Sequence, residues 1–200
     1  MTELKKQRMK SVLKYTWPFY LVLGFVIFLA MGIIFRITHP IPAYKSLTIF
    51  VSGEVTGREK LSEDMYAKFK EKKIRSFSCI ESKPTDLNYS TKLTVSGYQS
   101  ADVLIIPTSK IDTVSDPSTF ALKISDALVN AFYSGCEFYT RDEIKYGVKI
   151  DKEKVSEYMS LPEEECYMFL NGASKNLGDY GLKPVTEHDM ALTLVKDWGK

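Results

Sequence analysis

Histidine is scarce: His39 and His188 are the two in 200 residues, which leaves most acid/base and metal mechanisms without their commonest side chain. No HExxH, GxSxG or GxGxxG pattern occurs. The stretch Gly53-Glu-Val-Thr-Gly57-Arg-Glu-Lys60 lies between an expected strand and an expected helix. It has three rather than four residues between its glycines and lacks the Gly-Lys-Ser/Thr ending that holds phosphate and magnesium, so it reads as a capped turn. The three cysteines, Cys79, Cys136 and Cys166, have no CxxC spacing, and their odd number leaves one unpaired within a monomer. Thiols inside or beside apolar strands ordinarily pack as small hydrophobes; one disulfide is the alternative in an oxidising exterior. Glu163-Glu164-Glu165 lacks the spaced Asp/Asn and Gly of a calcium loop and reads as a solvated turn. There is no internal repeat and no low-complexity tract. No nucleophile, base and orienting group can be named together, so the chain is expected to be no enzyme and to use no cofactor and no metal.

A basic body is lacking too. Residues 1–44 hold Lys5, Lys6, Lys10, Lys14, Arg8 and Arg36 against Glu3, a net of +5, which leaves −3 for residues 45–200 within the overall +2. A nucleic-acid-binding face is therefore not expected, and the positive charge gathers beside the longest apolar run.

That run, Tyr15 to Phe35, has 21 residues without a charge. At 1.5 Å per residue it spans roughly 32 Å, a hydrocarbon core. It is expected to be a single transmembrane helix (15–37) in contact with the lipid bilayer, with Tyr15, Trp17 and Tyr20 at an interface. Five cations precede it and one follows closely, which places residues 1–14 in the cytoplasm and the remainder outside the cell. The alternative is a cleaved signal sequence, whose apolar core is shorter and whose cleavage site Ile41-Pro42-Ala43 matches poorly. Two prolines make 38–45 an extended stalk, and 46–200 an extracellular domain large enough for one core. Asn88-Tyr89-Ser90 is a glycosylation sequon, relevant in a eukaryote.

Strands are expected at Leu47 to Val51, Ser76 to Ile80, Val103 to Ile106 (stopped by Pro107) and Tyr167 to Leu170. Glu137 to Thr140 and Tyr146 to Ile150 flank Arg141-Asp142-Glu143 as a hairpin or a switch between lobes. Helices are expected from Arg58 to Lys73 behind a Thr56/Glu59 capping box, over Asn88 to Gln99, from Ser125 to Tyr133 with Leu128, Ala131 and Phe132 on one face, and after a Thr186 cap. In that last helix Met190, Ala191, Leu194, Val195 and Trp198 share a face. The pattern is α/β, with a mainly parallel sheet flanked by helices.

Leu47 to Glu54 (LTIFVSGE), Ser100 to Pro107 (SADVLIIP), Phe138 to Lys149 (FYTRDEIKYGVK) and Tyr167 to Gly178 (YMFLNGASKNLG) together resemble segments of the extracellular, periplasmic-type solute-binding proteins of ABC importers. The resemblance covers most of residues 46–198 and implies one lobe of a periplasmic-binding-protein-like fold. It implies ligand contacts at Ser52, Gly53 and Glu54, at Thr108 and Ser109, and at Tyr146 and Asn171. The family has two lobes and about twice this length, and in Gram-positive cells a lipid tether on Cys. Here a transmembrane helix stands in the tether's place, and the second lobe is missing. The expected function is thus a membrane-anchored, non-catalytic accessory of an importer that binds a sugar or peptide weakly. The alternative is an interaction subunit that docks a permease or another membrane protein where the second lobe would sit.

Overall fold

A computed structural model describes the backbone of residues 3–38, 41–114, 116–182 and 184–200, and the side chains of 16–35, 41–111, 116–182 and 184–200. His39 and Pro40 of the expected stalk lie outside the described residues. The chain falls into two compact units, Met1–Ile41 and Pro42–Lys200.

The first unit is one helix, α1 (Glu3–Thr38), longer than the apolar run at both ends and with Pro18 inside it. Its segment Thr16–Phe35 has mean hydropathy 2.5 and no buried residue. An apolar helix that length with nothing packed on it is what a membrane anchor or a signal sequence requires.

The second unit opens with a 3-10 turn, Ala43–Lys45, where an extended stalk was expected. It continues with β1 (Ser46–Val51), α2 (Arg58–Lys68), β2 (Ser76–Glu81) and α3 (Tyr89–Lys92), which runs into a π-helical turn at Leu93–Tyr98. Next come β3 (Val103–Pro107), α4 (Thr108–Val114), α5 (Asp126–Phe132), β4 (Phe138–Arg141), β5 (Ile144–Lys149), α6 (Lys152–Val155), β6 (Cys166–Leu170) and α7 (Met190–Trp198).

The six strands form one sheet in the order β2-β1-β3-β6-β5-β4. β1 pairs in parallel with β2 and β3, whereas β3–β6, β6–β5 and β5–β4 are antiparallel. The sheet is therefore mixed, not mainly parallel. The cause is local to its second half. Asp142 and Glu143 take φ of 50° and 65°, which closes β4 and β5 as a tight hairpin. The four-residue α6 is then too short to carry the chain across the sheet, so β6 returns antiparallel between β5 and β3.

Both faces are covered, which explains the unbroken apolar run of β3. On one face Leu47, Ile49, Val103, Ile105 and Met168 meet Leu61 and Met65 of α2 and Met190, Leu194 and Trp198 of α7. On the other, Phe50, Leu104, Ile106 and Phe169 meet Tyr89, Leu93, Ile111 and Phe120. α7 buries the whole face expected for it, but its N-cap is Asp189; the Thr186 hydroxyl bonds the Asp179 carboxylate instead (2.9 Å). α2 starts where expected, yet Gly57, not Thr56, caps it without a side-chain bond, and it stops at Lys68 because the chain turns through Lys73 at φ 55°. α5 has Ser125 as its N-cap, accepting from Leu128 N; Ala131 is exposed rather than on its buried face. The outer edge at β2 is blunted by α2: Phe77 N donates to the Tyr66 hydroxyl, and Arg58 donates to the Cys79 carbonyl.

Candidate functional site

β1 is central in β2-β1-β3: the chain passes from β1 to β2 on one side and then crosses over to β3 on the other. The carboxyl ends of β1 and β3 therefore form a switch point, the usual location for a crevice in an α/β sheet. What fills that end decides what it can do.

Ser52 is fully buried. Its amide donates to the Ile105 carbonyl and its Oγ lies 2.7 Å from the Tyr89 hydroxyl, so it ties β1 to α3. Burial pushes the Tyr89 phenol up to about 12. Gly53 is buried against the segment before β6. Glu54 and Ser160 exchange backbone bonds in both directions (3.0 and 2.8 Å), and Gly57 N donates to the Tyr158 carbonyl (2.9 Å). The amides that a phosphate loop would present are thus already used here.

The Glu54 side chain is exposed and pairs with Lys83 at 2.7 Å. Gly53, Glu54, Lys83, Pro84, Thr85 and Ser160 border an open groove of about 270 Å³ together with Leu161 and Pro162.

Thr108 and Ser109 are exposed at the end of β3, with their polar groups engaged. Thr108 donates through N and Oγ1 to the Glu165 carbonyl (both 2.9 Å), and the Glu164 carboxylate accepts from Ser109 N (2.8 Å) and Oγ (2.7 Å). The triple glutamate is thus more than a solvated turn. Lys152 Nζ donates to the carbonyls of Pro162, Glu163 and Glu164 at 2.5–2.7 Å, a tethered cation that organises the turn from inside. Lys149 bridges Glu137 and Glu165 (2.8 and 2.6 Å). Its two carboxylate partners raise its pKa, and the bonds from Lys149 and Tyr167 lower that of Glu165.

Tyr146 and Asn171 do not join the other five. Register places Pro107 opposite Cys166 and Val103 opposite Leu170, so Asn171 follows β6 at the amino end of β3. There it is buried, with Nδ2 donating to the Tyr98 and Ala101 carbonyls (both 2.8 Å) and Oδ1 accepting from Ala173 N (3.0 Å). Tyr146 falls where the β4–β5 register slips: Tyr139 pairs Gly147 and Thr140 pairs Lys145, so Tyr146 is the bulge residue and packs in the second core. A bulge re-aims a side chain, which alternation alone does not foresee.

At Asn171's end lies a polar knot that sequence reasoning missed. Asp102 accepts from Thr48 N (2.8 Å), Ser174 Oγ (2.5 Å) and Asn176 Nδ2 (3.1 Å), and Asn176 also donates to the Ser46 carbonyl (2.8 Å). Burial raises the Asp102 pKa against these three bonds. Asn176 Oδ1 is buried without a partner. The signal available in sequence was an Asp immediately before an all-apolar strand.

Cys79, Cys136 and Cys166 are free thiols. Among the described residues no group of three or more His, Cys, Asp or Glu is placed to hold a metal. Comparison with protein-family models and with curated proteins returns no match.

Proposed function

We propose that the chain is a membrane-anchored, extracellular, non-catalytic binding module, resembling one lobe of the solute-binding proteins of ABC importers, that takes a sugar- or peptide-like solute at the end of β1. The observation that carries this reading is the groove of about 270 Å³ bordered by Gly53, Glu54, Lys83, Thr85 and Ser160, a polar recess at the carboxyl ends of the parallel strands β1 and β2, the end of an open α/β sheet where ligands bind. The anchor is supported by α1, whose apolar segment is exposed throughout, and its direction by the cations that precede it. The absence of catalysis is supported by how the polar groups are used: Asp102 accepts three bonds, and Ser52 has Tyr89 rather than a base beside it.

An open groove covers one side of a solute, so ordering it is poorly offset and the affinity is weak, ~10 μM to mM. Calorimetry of the full chain in lipid nanodiscs against sugar and peptide panels tests this. Binding abolished by Glu54→Ala and Lys83→Ala supports it, and no heat with any panel member removes it. The second reading, an interaction subunit docking an importer permease or another membrane protein, is favoured by one observation. Thr108 and Ser109, expected to face a ligand, are held by Glu165 and Glu164, which leaves a charged ridge beside the groove. Co-purification with one defined permease, lost when Glu163 and Lys152 are replaced, would select it.

A further inference from the structure

The other end of the second unit, where β1 begins, carries charge of the sign opposite to its body. The turn after α2 sets Lys70, Lys73 and Arg75 beside Lys45: Arg75 N donates to the Lys45 carbonyl (2.8 Å) and Lys73 N to the Lys70 carbonyl (3.0 Å). Lys72, next to them, is ion-paired with Asp189, and burial lowers its pKa. The other four have no carboxylate partner among the described residues. Beside them lies a groove of about 470 Å³ bordered by Tyr44, Lys45, Lys73, His188 and the ion-paired Lys72, with Glu71 and Glu187 as its carboxylates. Of the four unpaired cations, Lys45 and Lys73 border the groove with Glu71 and Glu187, and Lys70 and Arg75 are exposed next to them, in a stretch of sequence whose net charge from residue 45 on is −3. The Tyr44 and His188 rings stack at 4.0 Å and 8°, and the Lys45 ammonium lies 5.6 Å from the Tyr44 centroid. Amphipathic rings beside ammonium groups suit the headgroup level of a bilayer.

Chain length adds a second argument. Six residues, 39–44, join Thr38 at the end of α1 to Lys45. At ~3.3–3.6 Å per residue that tether reaches no further than about 25 Å, whichever way the two units are turned.

Resting on the membrane-anchor reading above, we propose that this end of the unit is a docking surface for anionic lipid headgroups, with Lys45, Lys70, Lys73 and Arg75 as the phosphate contacts. The groove takes part of a headgroup between the stacked rings and Lys73. The tether lets these basic residues come within a Debye length, roughly 8–10 Å, of a charged bilayer, where they are attracted, so the contact is salt-sensitive.

The test is amide hydrogen exchange of the full chain in nanodiscs of phosphatidylcholine alone and with about 30% phosphatidylglycerol. Exchange at residues 44–46 and 70–75 is expected to slow about five-fold or more in the anionic discs and to recover in roughly 0.5 M salt. It should also recover in the triple variant Lys70→Ala, Lys73→Ala, Arg75→Ala, while exchange in β3 stays unchanged as a check on folding. Equal exchange in both discs overturns the proposal. Equal protection in neutral discs with inorganic phosphate would show a soluble-anion site instead and also overturns it. A chain that co-migrates with neither disc rejects the anchor itself; one that co-migrates with both but shows no difference rejects the headgroup contact alone.

Discussion

A Cβ on Gly53 would lie 2.5 Å from the Ser160 carbonyl oxygen, and one on Gly57 the same distance from that of Glu157. The two glycines let the 53–57 strap pass against 157–160 closely enough to exchange the Glu54/Ser160 bonds. Gly53→Ala must therefore move backbone rather than a flexible tip, and we expect it to cost ~1–3 kcal/mol in urea unfolding. Gly172→Ala, whose nearest neighbour would be 3.7 Å away, should be close to neutral and serves as the control. If Gly53→Ala is as stable as the parent, the straps are not packed together.

The Ser52–Tyr89 pair gives a second expectation. Tyr89→Phe leaves the buried Ser52 hydroxyl without its partner, at a cost of ~1–3 kcal/mol, whereas the Ser52→Ala, Tyr89→Phe double variant should be less destabilised than the two single costs added. A double-mutant cycle by denaturant unfolding measures this. Additive costs would mean that the 2.7 Å contact stabilises nothing.

The elements whose physics is local were legible in the sequence. β1 and β3 read as covered strands because both faces are apolar, and α7 because Met190, Ala191, Leu194, Val195 and Trp198 repeat at helical spacing. The direction of β6 was not legible: Cys166–Leu170 has the same composition whichever way it runs, and direction is set by the hairpin and the short α6. Asn171 was consequently expected at the wrong end of the sheet, and Tyr146 at a strand end rather than a bulge. α4 and α6, of seven and four residues, are too short to show a period. Of the residues that border the groove at the end of β1, Gly53 and Glu54 were among those expected from the sequence. Lys83 and Ser160 were not, because the contacts that bring them there cross 29 and 106 positions of chain, from Glu54.

Two carboxylates should respond to pH in opposite senses. Burial holds the folded pKa of Asp102 above its ordinary 3.8, against the bonds from Ser174, Thr48 and Asn176. The folded state then binds the proton more tightly, so the contribution of Asp102 to stability is greatest below the unfolded value and declines as pH rises through the folded one. Glu165 is the reverse: Lys149 and Tyr167 hold it below its ordinary value, so its stabilisation is present above the unfolded pKa and is lost as pH falls through the folded one. Carboxyl-carbon NMR titration reads both directly. An Asp102 that titrates below 3.8 would show that its three donors outweigh burial.

Orientation is the expectation on which the extracellular reading depends. Five cations precede the apolar run and Arg36 alone follows it closely, so the N-terminus should stay in the cytoplasm. Maleimide labelling of intact cells should reach Lys175→Cys, an exposed position, and miss Lys6→Cys. The parent thiols give a low background because burial raises all three, Cys79 to about 12 and Cys166 to about 11, and the reactive thiolate is correspondingly rare. Labelling at Lys6→Cys and not at Lys175→Cys would invert the topology and remove the importer-accessory reading with it. The mass of the membrane-extracted chain separates anchor from signal sequence in the same preparation: the full 200 residues are expected, whereas a product beginning near Ala43 would mean that α1 is cleaved and that nothing holds the basic end of the unit at a bilayer.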